Sequence, residues 1–188
     1  MLGVAAALDR NEVLAAQVRT HLLDAAEATD RRARADSGSN PHAAVRTAVE
    51  FVLSCVDATE PLSPTQLAEI AFAVCISGVS GCLMGLSRTI AADSAHRLWT
   101  ELTRALPDPQ RADAAVLLAF SAYLGGDGPL AVSAISVALR SKPDHRIARM
   151  LETAFSIGLP PEQLQILALQ GISAAADLGI TFPASTGA

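Results

Sequence analysis

Residues 70–87, IAFAVCISGVSGCLMGLS, carry no charged side chain, and this run limits the possible folds more than any other feature of the chain. An uncharged run of this length either crosses a membrane or lies inside the protein. Its length only reaches the lower end of the range for a membrane span, glycines and serines dilute its hydrophobicity, and no aromatic or basic belt marks its ends. The run therefore predicts a buried central helix, broken or pinched at Gly78 and Gly81, and argues against a membrane span.

Two helix-start signals precede this run. Asn40 followed by Pro41 is typical of a helix start, and Ser63 with Gln66 predicts a capping box. Alanine dominates the composition, and it has the best helix propensity and is depleted in strands. No stretch shows the alternation of a strand. The sequence predicts an all-α fold of about seven helices, the later ones over 109–124, 129–141, 144–157 and 161–171.

Changes in composition along the chain predict its organisation. The charged stretch DRRARAD is followed by the polar stretch SGSN, which is typical of a linker. The end of the chain, PASTGA, has the small and polar residues of a fraying terminus. We predict an N-terminal helical arm and linker over 1–38, a helical domain over 39–176 and a flexible C-terminal tail over 177–188.

Charge argues against nucleic acid as a partner. The formal net charge is −5, whereas a protein that neutralises phosphates needs a surplus of basic side chains. The run Arg31, Arg32 and Arg34 could contact nucleic acid or an acidic partner, but it is more simply a solvated helix end.

The cysteines indicate a reducing compartment. Cys55, Cys75 and Cys82 are odd in number and show no CxxC spacing. This usage predicts buried free thiols and a cytoplasmic location.

The glycine-rich stretch YLGGDGPLA (123–131) raises the question of a phosphate-binding loop. A P-loop requires a lysine and a hydroxyl residue after its last glycine, and a dinucleotide-binding loop requires a preceding strand. Pro129 and Leu130 follow Gly128 instead, and a helix precedes the glycines. The stretch therefore predicts a tight turn between two paired helices.

The residues around this turn carry a resemblance to a helical repeat. In the segment from Ala112 to Pro143, small and large apolar residues fall at the positions that a tetratricopeptide repeat requires, with the glycines at its turn. The resemblance implies a tetratricopeptide-like stack, in which one face of the first helix would line a groove for a partner segment. The residues on that face are Asp113, Val116, Phe120 and Tyr123, although with so few repeats Phe120 and Tyr123 are better explained as core residues.

A wider family resemblance rests on HRLWTELTRALPD, AAVLLAFSAYLGGDGPLAVSAISVALRSKPDHRIARML and AFSIGLPP. These segments are similar to the C-terminal helical region of an actinobacterial family known as domain of unknown function 4192. The resemblance runs from about Leu62 to Pro161, and it implies that an α/β domain usually precedes this region. We therefore expect either a shortened or a naturally short member, in which Gly78–Cys82 stands where the family pattern suggests a charged segment.

The sequence contains no complete catalytic or metal-binding pattern. GVSGC approaches the nucleophile elbow, but its second glycine comes one residue early, so Ser80 is better explained by a helix kink or a close helix contact. Asp93, Ser94 and His96 include the residue types of a triad, yet Asp93 at this position predicts an N-cap. The histidines, which show no HExxH spacing or paired ligands, are His21, His42, His96 and His145.

These observations lead to one expectation and one alternative. We expect a non-catalytic helical module for protein interaction or oligomerisation, with a protein or a second copy as partner and with no catalytic, cofactor-binding or metal-binding residues. The alternative is an accessory helical domain of a larger enzyme whose α/β catalytic part is absent from this chain.

Overall fold

A computed structural model describes residues 8–37, 41–58 and 60–182. Within these ranges the chain forms nine α-helices and one 3-10 helix and contains no strand, which confirms the predicted all-α class. The elements in chain order are α1 (Glu12–Ser37), α2 (Pro41–Val56), α3 (Pro64–Cys75), α4 (Val79–Leu83), the 3-10 helix (Met84–Arg88), α5 (Ala92–Ala105), α6 (Arg111–Leu124), α7 (Gly128–Ser141), α8 (Arg146–Ser156) and α9 (Pro161–Asp177).

The uncharged run forms two helical pieces rather than one. Helix α3 ends at Cys75, and the segment Val79–Arg88 leaves at an angle of 101°. Gly78 stands at the break with a φ of 95°, a left-handed conformation that side chains disfavour. The predicted break at Gly78 is therefore confirmed, and it raises the helix count above the expected seven. No single helix in the described ranges is both long and apolar enough to cross a membrane.

The predicted capping box begins α3. The backbone N–H of Gln66 donates to Oγ of Ser63 over 3.3 Å, and the backbone N–H of Ser63 donates to Oε1 of Gln66 over 2.9 Å. Each bond satisfies a donor that the first helical turn leaves unpaired. The other predicted cap, Asn40, lies outside the described residues.

Helix α6 lies at the centre of the protein. Nine of its residues are buried, and Val116 and Phe120 are completely inaccessible to solvent. Five of the buried positions are alanines, which allow α5 and α7 to pack closely on either side. The pairing of α6 with α7 is the most extensive helix contact in the fold.

The stretch YLGGDGPLA turns the chain from α6 into α7. Gly126 has a φ of 83°, and its N–H donates to the carbonyl of Tyr123 while the N–H of Asp127 donates to that of Ala122. These two bonds form a Schellman motif, which satisfies the last carbonyls of a helix. The carboxylate of Asp127 then accepts from the N–H of Leu130 over 3.0 Å and caps α7. The nine residues are a helix-to-helix turn, as their sequence predicts.

Both ends of the described chain pack against the core. Leu8, Val18 and Ala25 belong to the same apolar cluster as the residues of α3 and α6, and α1 packs along α3 and α2. The arm-to-body boundary predicted near residue 38 lies outside the described residues, and the division at that point stays a prediction. At the other end Ile180 and Phe182 are buried, so the packed chain extends past Asp177, where the tail was expected to begin. Residues 183–188 lie outside the described ranges.

Candidate functional site

A large cleft opens between α8 and α9. The two helices follow one another along the chain, but α8 packs on α7 and α6 whereas α9 packs on α4, the 3-10 helix and α6. Apart from α6 they pack on different helices, and between them lies a cavity of about 940 Å³ that is open to solvent. This volume lies near the upper end of the range for small-molecule sites.

A close crossing of α9 over α4 forms the floor of the cleft. An added Cβ at Gly171 would lie 2.4 Å from the carbonyl oxygen of Gly81 and 2.9 Å from the backbone nitrogen of Gly85. Only glycine allows the two backbones to approach so closely. The segment Gly78–Cys82, whose role the sequence leaves open, therefore positions α9 and shapes the floor.

Apolar side chains line much of the cleft. Ile147 and Met150 extend from α8, Leu167 extends from α9, and Ile76 and Met84 lie between them. Met84 is buried and Met150 is about half exposed. Methionine side chains adapt their shape to a bound surface, so these walls can accept more than one apolar partner.

A polar network occupies one end of the cleft, where α3, α6 and α8 meet. Asp113 of α6 accepts a hydrogen bond from the thiol of Cys75 at Oδ2 over 3.5 Å and lies 3.1 Å from Nε2 of His145 at Oδ1. The N–H of Ala148 donates to Nδ1 of His145 over 3.2 Å, so the imidazole caps α8. Both nitrogens of this buried histidine are thus engaged.

The network does not resemble an activated cysteine. Desolvation by the surrounding protein and the negative charge of Asp113 raise the pKa of Cys75 to about 12. A catalytic thiol needs a lowered pKa and a histidine beside its sulfur, whereas here a carboxylate stands between Cys75 and His145. Among the described residues, no group of three or more side chains is arranged to hold a metal ion. The arrangement fixes three helices to one another.

The predicted partner groove does not form one accessible face. Val116 and Phe120 are core residues because α5 and α7 cover α6, which is the alternative that the sequence left open for Phe120. Tyr123 stacks on Phe155 with ring centroids 4.2 Å apart, and its hydroxyl donates to the carbonyl of Leu159 over 2.6 Å. Asp113 alone of the four predicted residues lines the cleft.

The residue types of a triad are separated by the fold. Nδ1 of His96 lies 3.0 Å from Oγ of Ser121 rather than beside Ser94, whose hydroxyl accepts from Arg97. Helix α5 begins at Ala92 and its N-cap is Ala91, two residues before Asp93, so the predicted N-cap is wrong. Ser80 is buried and donates to the carbonyl of Val74 over 3.0 Å, which agrees with a structural role for GVSGC.

The basic run of α1 and the three cysteines are the remaining residues that the sequence singled out. Arg31 forms a 3.7 Å ion pair with Glu27 on the exposed surface of α1, and the side chains of Arg32 and Arg34 lie outside the described part of the chain. Cys55 and Cys82 are buried as predicted, whereas Cys75 is exposed in the cleft. Nothing in the local sequence distinguishes Cys75 from the other two cysteines, because its hydrogen-bond partner Asp113 is 38 residues away.

A second charged cluster fixes the N-terminal segment to the junction of α5 and α6. Arg111 donates from Nε to the carbonyl of Thr103 over 2.6 Å and from Nη2 to the carbonyl of Leu8 over 2.5 Å. Arg10 forms a 2.7 Å ion pair with Asp108. Burial lowers the pKa of Arg111 despite the nearby charge of Asp108. The donors and acceptors of this cluster largely satisfy one another, which indicates a structural role.

One family matches the chain. The model of the family described as Domain of unknown function (DUF4192) matches residues 3–162, and the chain therefore belongs to this family. The matched range includes α1 and α2 as well as the helices after Leu62 that carry the sequence resemblance. No match was found among curated proteins or among solved structures.

Proposed function

We propose that this chain is a non-catalytic helical interaction module that binds an amphipathic helix of a partner protein in the cleft between α8 and α9. The observation that carries the proposal is the cleft itself, an open cavity of about 940 Å³ with apolar walls and a polar margin. Buried apolar area surrounded by a polar rim is the usual anatomy of a protein interface.

The dimensions of the cleft favour a helix as the occupant. Its walls are α8, which has 11 residues and is about 16 Å long, and α9, which has 17 residues and is about 25 Å long. About three to five turns of a partner helix span such a distance, and a helix presents apolar side chains at the spacing that a groove between two helices receives. Gly81 of the floor, where an added Cβ would meet nothing within 4 Å, leaves room for those side chains.

Charged side chains at the margin of the cleft indicate which charge the partner helix should carry. Lys142 and Arg146 line the cleft near its polar end, and Asp144 lies between them in the chain. Asp113 is already engaged by Cys75 and His145. A partner with an acidic side chain beside its apolar anchors would therefore meet two cations, and opposite charges at a rim mainly raise the association rate.

The broader architecture agrees with this proposal. The close pairing of α6 and α7 across a Schellman turn supports a tetratricopeptide-like arrangement, and such stacks present surfaces for partner segments. We propose a cytoplasmic location on the basis of the three thiols. The accessory role in a larger enzyme stays the alternative prediction.

The test uses peptides rather than an unidentified natural partner. A displayed library of amphipathic helical peptides would be selected on the full chain, and the affinity of the recovered peptides would be measured by fluorescence anisotropy. Met150→Glu places a charge on the cleft wall, and we expect it to weaken binding at least about tenfold, since a desolvated charge in an apolar contact is costly.

Val132→Glu is the matched control, because Val132 is about as exposed as Met150 (52% and 46%) but lies on α7 and does not line the cleft. Both variants should retain the helical circular dichroism of the wild type. A library without helical binders, or equal weakening by the two substitutions, would contradict the proposal.

A further inference from the structure

His145 is the N-cap of α8, the helix that forms one wall of the cleft. Two hydrogen-bond partners hold its ring in a single orientation. The N–H of Ala148 points at Nδ1 over 3.2 Å, and Oδ1 of Asp113 lies 3.1 Å from Nε2. A backbone N–H can only donate, so Nδ1 must be an unprotonated acceptor. The neutral ring therefore carries its proton on Nε2 and donates it to Asp113.

We propose that this corner is a pH-sensitive switch, in which protonation of His145 releases the cap of α8. An imidazolium ring carries a proton on both nitrogens and can no longer accept from Ala148. It also places a positive charge at a helix N-terminus, where the helix dipole favours negative charge. The first turn of α8 then loses its side-chain cap.

The side chains around His145 include both negative and positive charges. Asp113 of α6 attracts the imidazolium and keeps the ring in place, while Cys75 of α3 contributes a neutral thiol with a pKa raised to about 12. Lys142 in the turn after α7 and Arg146 of α8 add positive charge, and Asp144 adds a negative one. The ring therefore stays bonded to Asp113 after protonation, and it is the bond to Ala148 that breaks.

Loss of the α8 cap would change the shape of the cleft. Ile147 and Met150 lie within the first turns of α8 and form its apolar wall. Loosening this turn displaces the wall, so acidification should weaken the binding of an apolar helix. This consequence rests on the proposed function, whereas the loss of the cap does not.

The experiment follows the cap by nuclear magnetic resonance on the full chain, with no ligand. Nitrogen shifts of His145 should show the Nε2–H tautomer at pH 8. The protection of the Ala148 amide against hydrogen exchange, corrected for intrinsic rates, should fall about fivefold as the pH is lowered to 5, which is the typical effect of losing a cap.

Two controls distinguish the switch from a general loosening of the whole protein at acidic pH. Leu130 is capped by the carboxylate of Asp127 over 3.0 Å, and carboxylate caps ordinarily persist between pH 5 and 8, so its amide should keep its protection. His145→Asn retains a good capping residue that does not titrate. In this variant the protection of the Ala148 amide should change with pH no more than that of the Leu130 amide. An Nδ1–H tautomer, or equal changes at Ala148 and Leu130 in the wild type, would overturn the proposal. Neither readout requires a ligand. A failure of the proposed peptide binding would therefore not affect this test of the switch.

Discussion

Replacing Gly171 by alanine should destabilise the protein by about 2 kcal/mol, because α9 crosses α4 through backbone contacts at this position. The added Cβ would lie 2.4 Å from the oxygen of Gly81, 2.9 Å from the nitrogen of Gly85 and 3.0 Å from the oxygen of Cys82. These are backbone atoms of another helical segment, so the clash cannot be relieved by a side-chain rotation. Helix α9 must move instead.

The magnitude follows from two opposing effects. Inserting a carbon into a packed core costs roughly 1–3 kcal/mol, and backbone neighbours place Gly171 at the upper end of that range. Alanine in a helix interior recovers about 1 kcal/mol relative to glycine. The difference of about 2 kcal/mol should lower the melting temperature by roughly 4–8 °C for a chain of this size.

Gly81→Ala provides the matched comparison. Gly81 lies in α4 on the other side of the same crossing, but a Cβ there would meet nothing within 4 Å. The substitution should therefore be neutral or stabilising by up to about 1 kcal/mol. Urea titration followed by circular dichroism would measure both variants, with an unchanged slope showing that only stability has changed. If Gly171→Ala were as stable as Gly81→Ala, the backbone crossing would be refuted.

Four further outcomes are expected. Gly126→Val should cost at least about 1 kcal/mol, since a β-branched residue is strained at a φ of 83°; an unchanged melting temperature would argue against the Schellman turn. Tyr123→Phe should cost about 1 kcal/mol in urea denaturation through loss of the bond to Leu159, and a stable variant would contradict that bond. Burial raises the pKa of Asp108, but bonds from Ser141 and Arg10 outweigh it and hold the pKa below the usual value. Its ionised form therefore contributes stability above the unfolded-state pKa that is lost as the pH falls through the lower folded-state value, and Asp108→Asn should flatten this acid limb in denaturation curves. Iodoacetamide at pH 8 should modify Cys75, whose pKa is raised to about 12, at least about tenfold more slowly than free cysteine; peptide mass mapping that showed rapid labelling would contradict the raised pKa.

Much of the local structure could be predicted because its causes lie within a few residues. Ser63 and Gln66 form their capping box three residues apart, and Gly126 and Asp127 end one helix and begin the next. The break at Gly78 follows from the same kind of short-range signal. Such features depend on backbone angles and on hydrogen bonds between near neighbours, which a single sequence records directly.

Burial around a helix was harder to predict. The spacing of Val116 and Phe120 is equally typical of a groove and of a core, and the choice depends on how many neighbours cover α6. The same reasoning applies to Cys75, which has the residue type of a buried thiol but is exposed. Position relative to other helices, rather than periodicity, decides these cases.

The sequence by itself determined that the chain is helical, where several of its helices begin, and that the glycine-rich stretch is a turn. Only the tertiary structure decided where a functional surface lies. The cleft lies between α8 and α9, which share α6 but otherwise pack on different helices, and its polar corner joins Cys75 to Asp113 across 38 residues and Asp113 to His145 across 32. Contacts at such separations are set by how helices pack and not by local propensity, so they become visible only once the chain is folded.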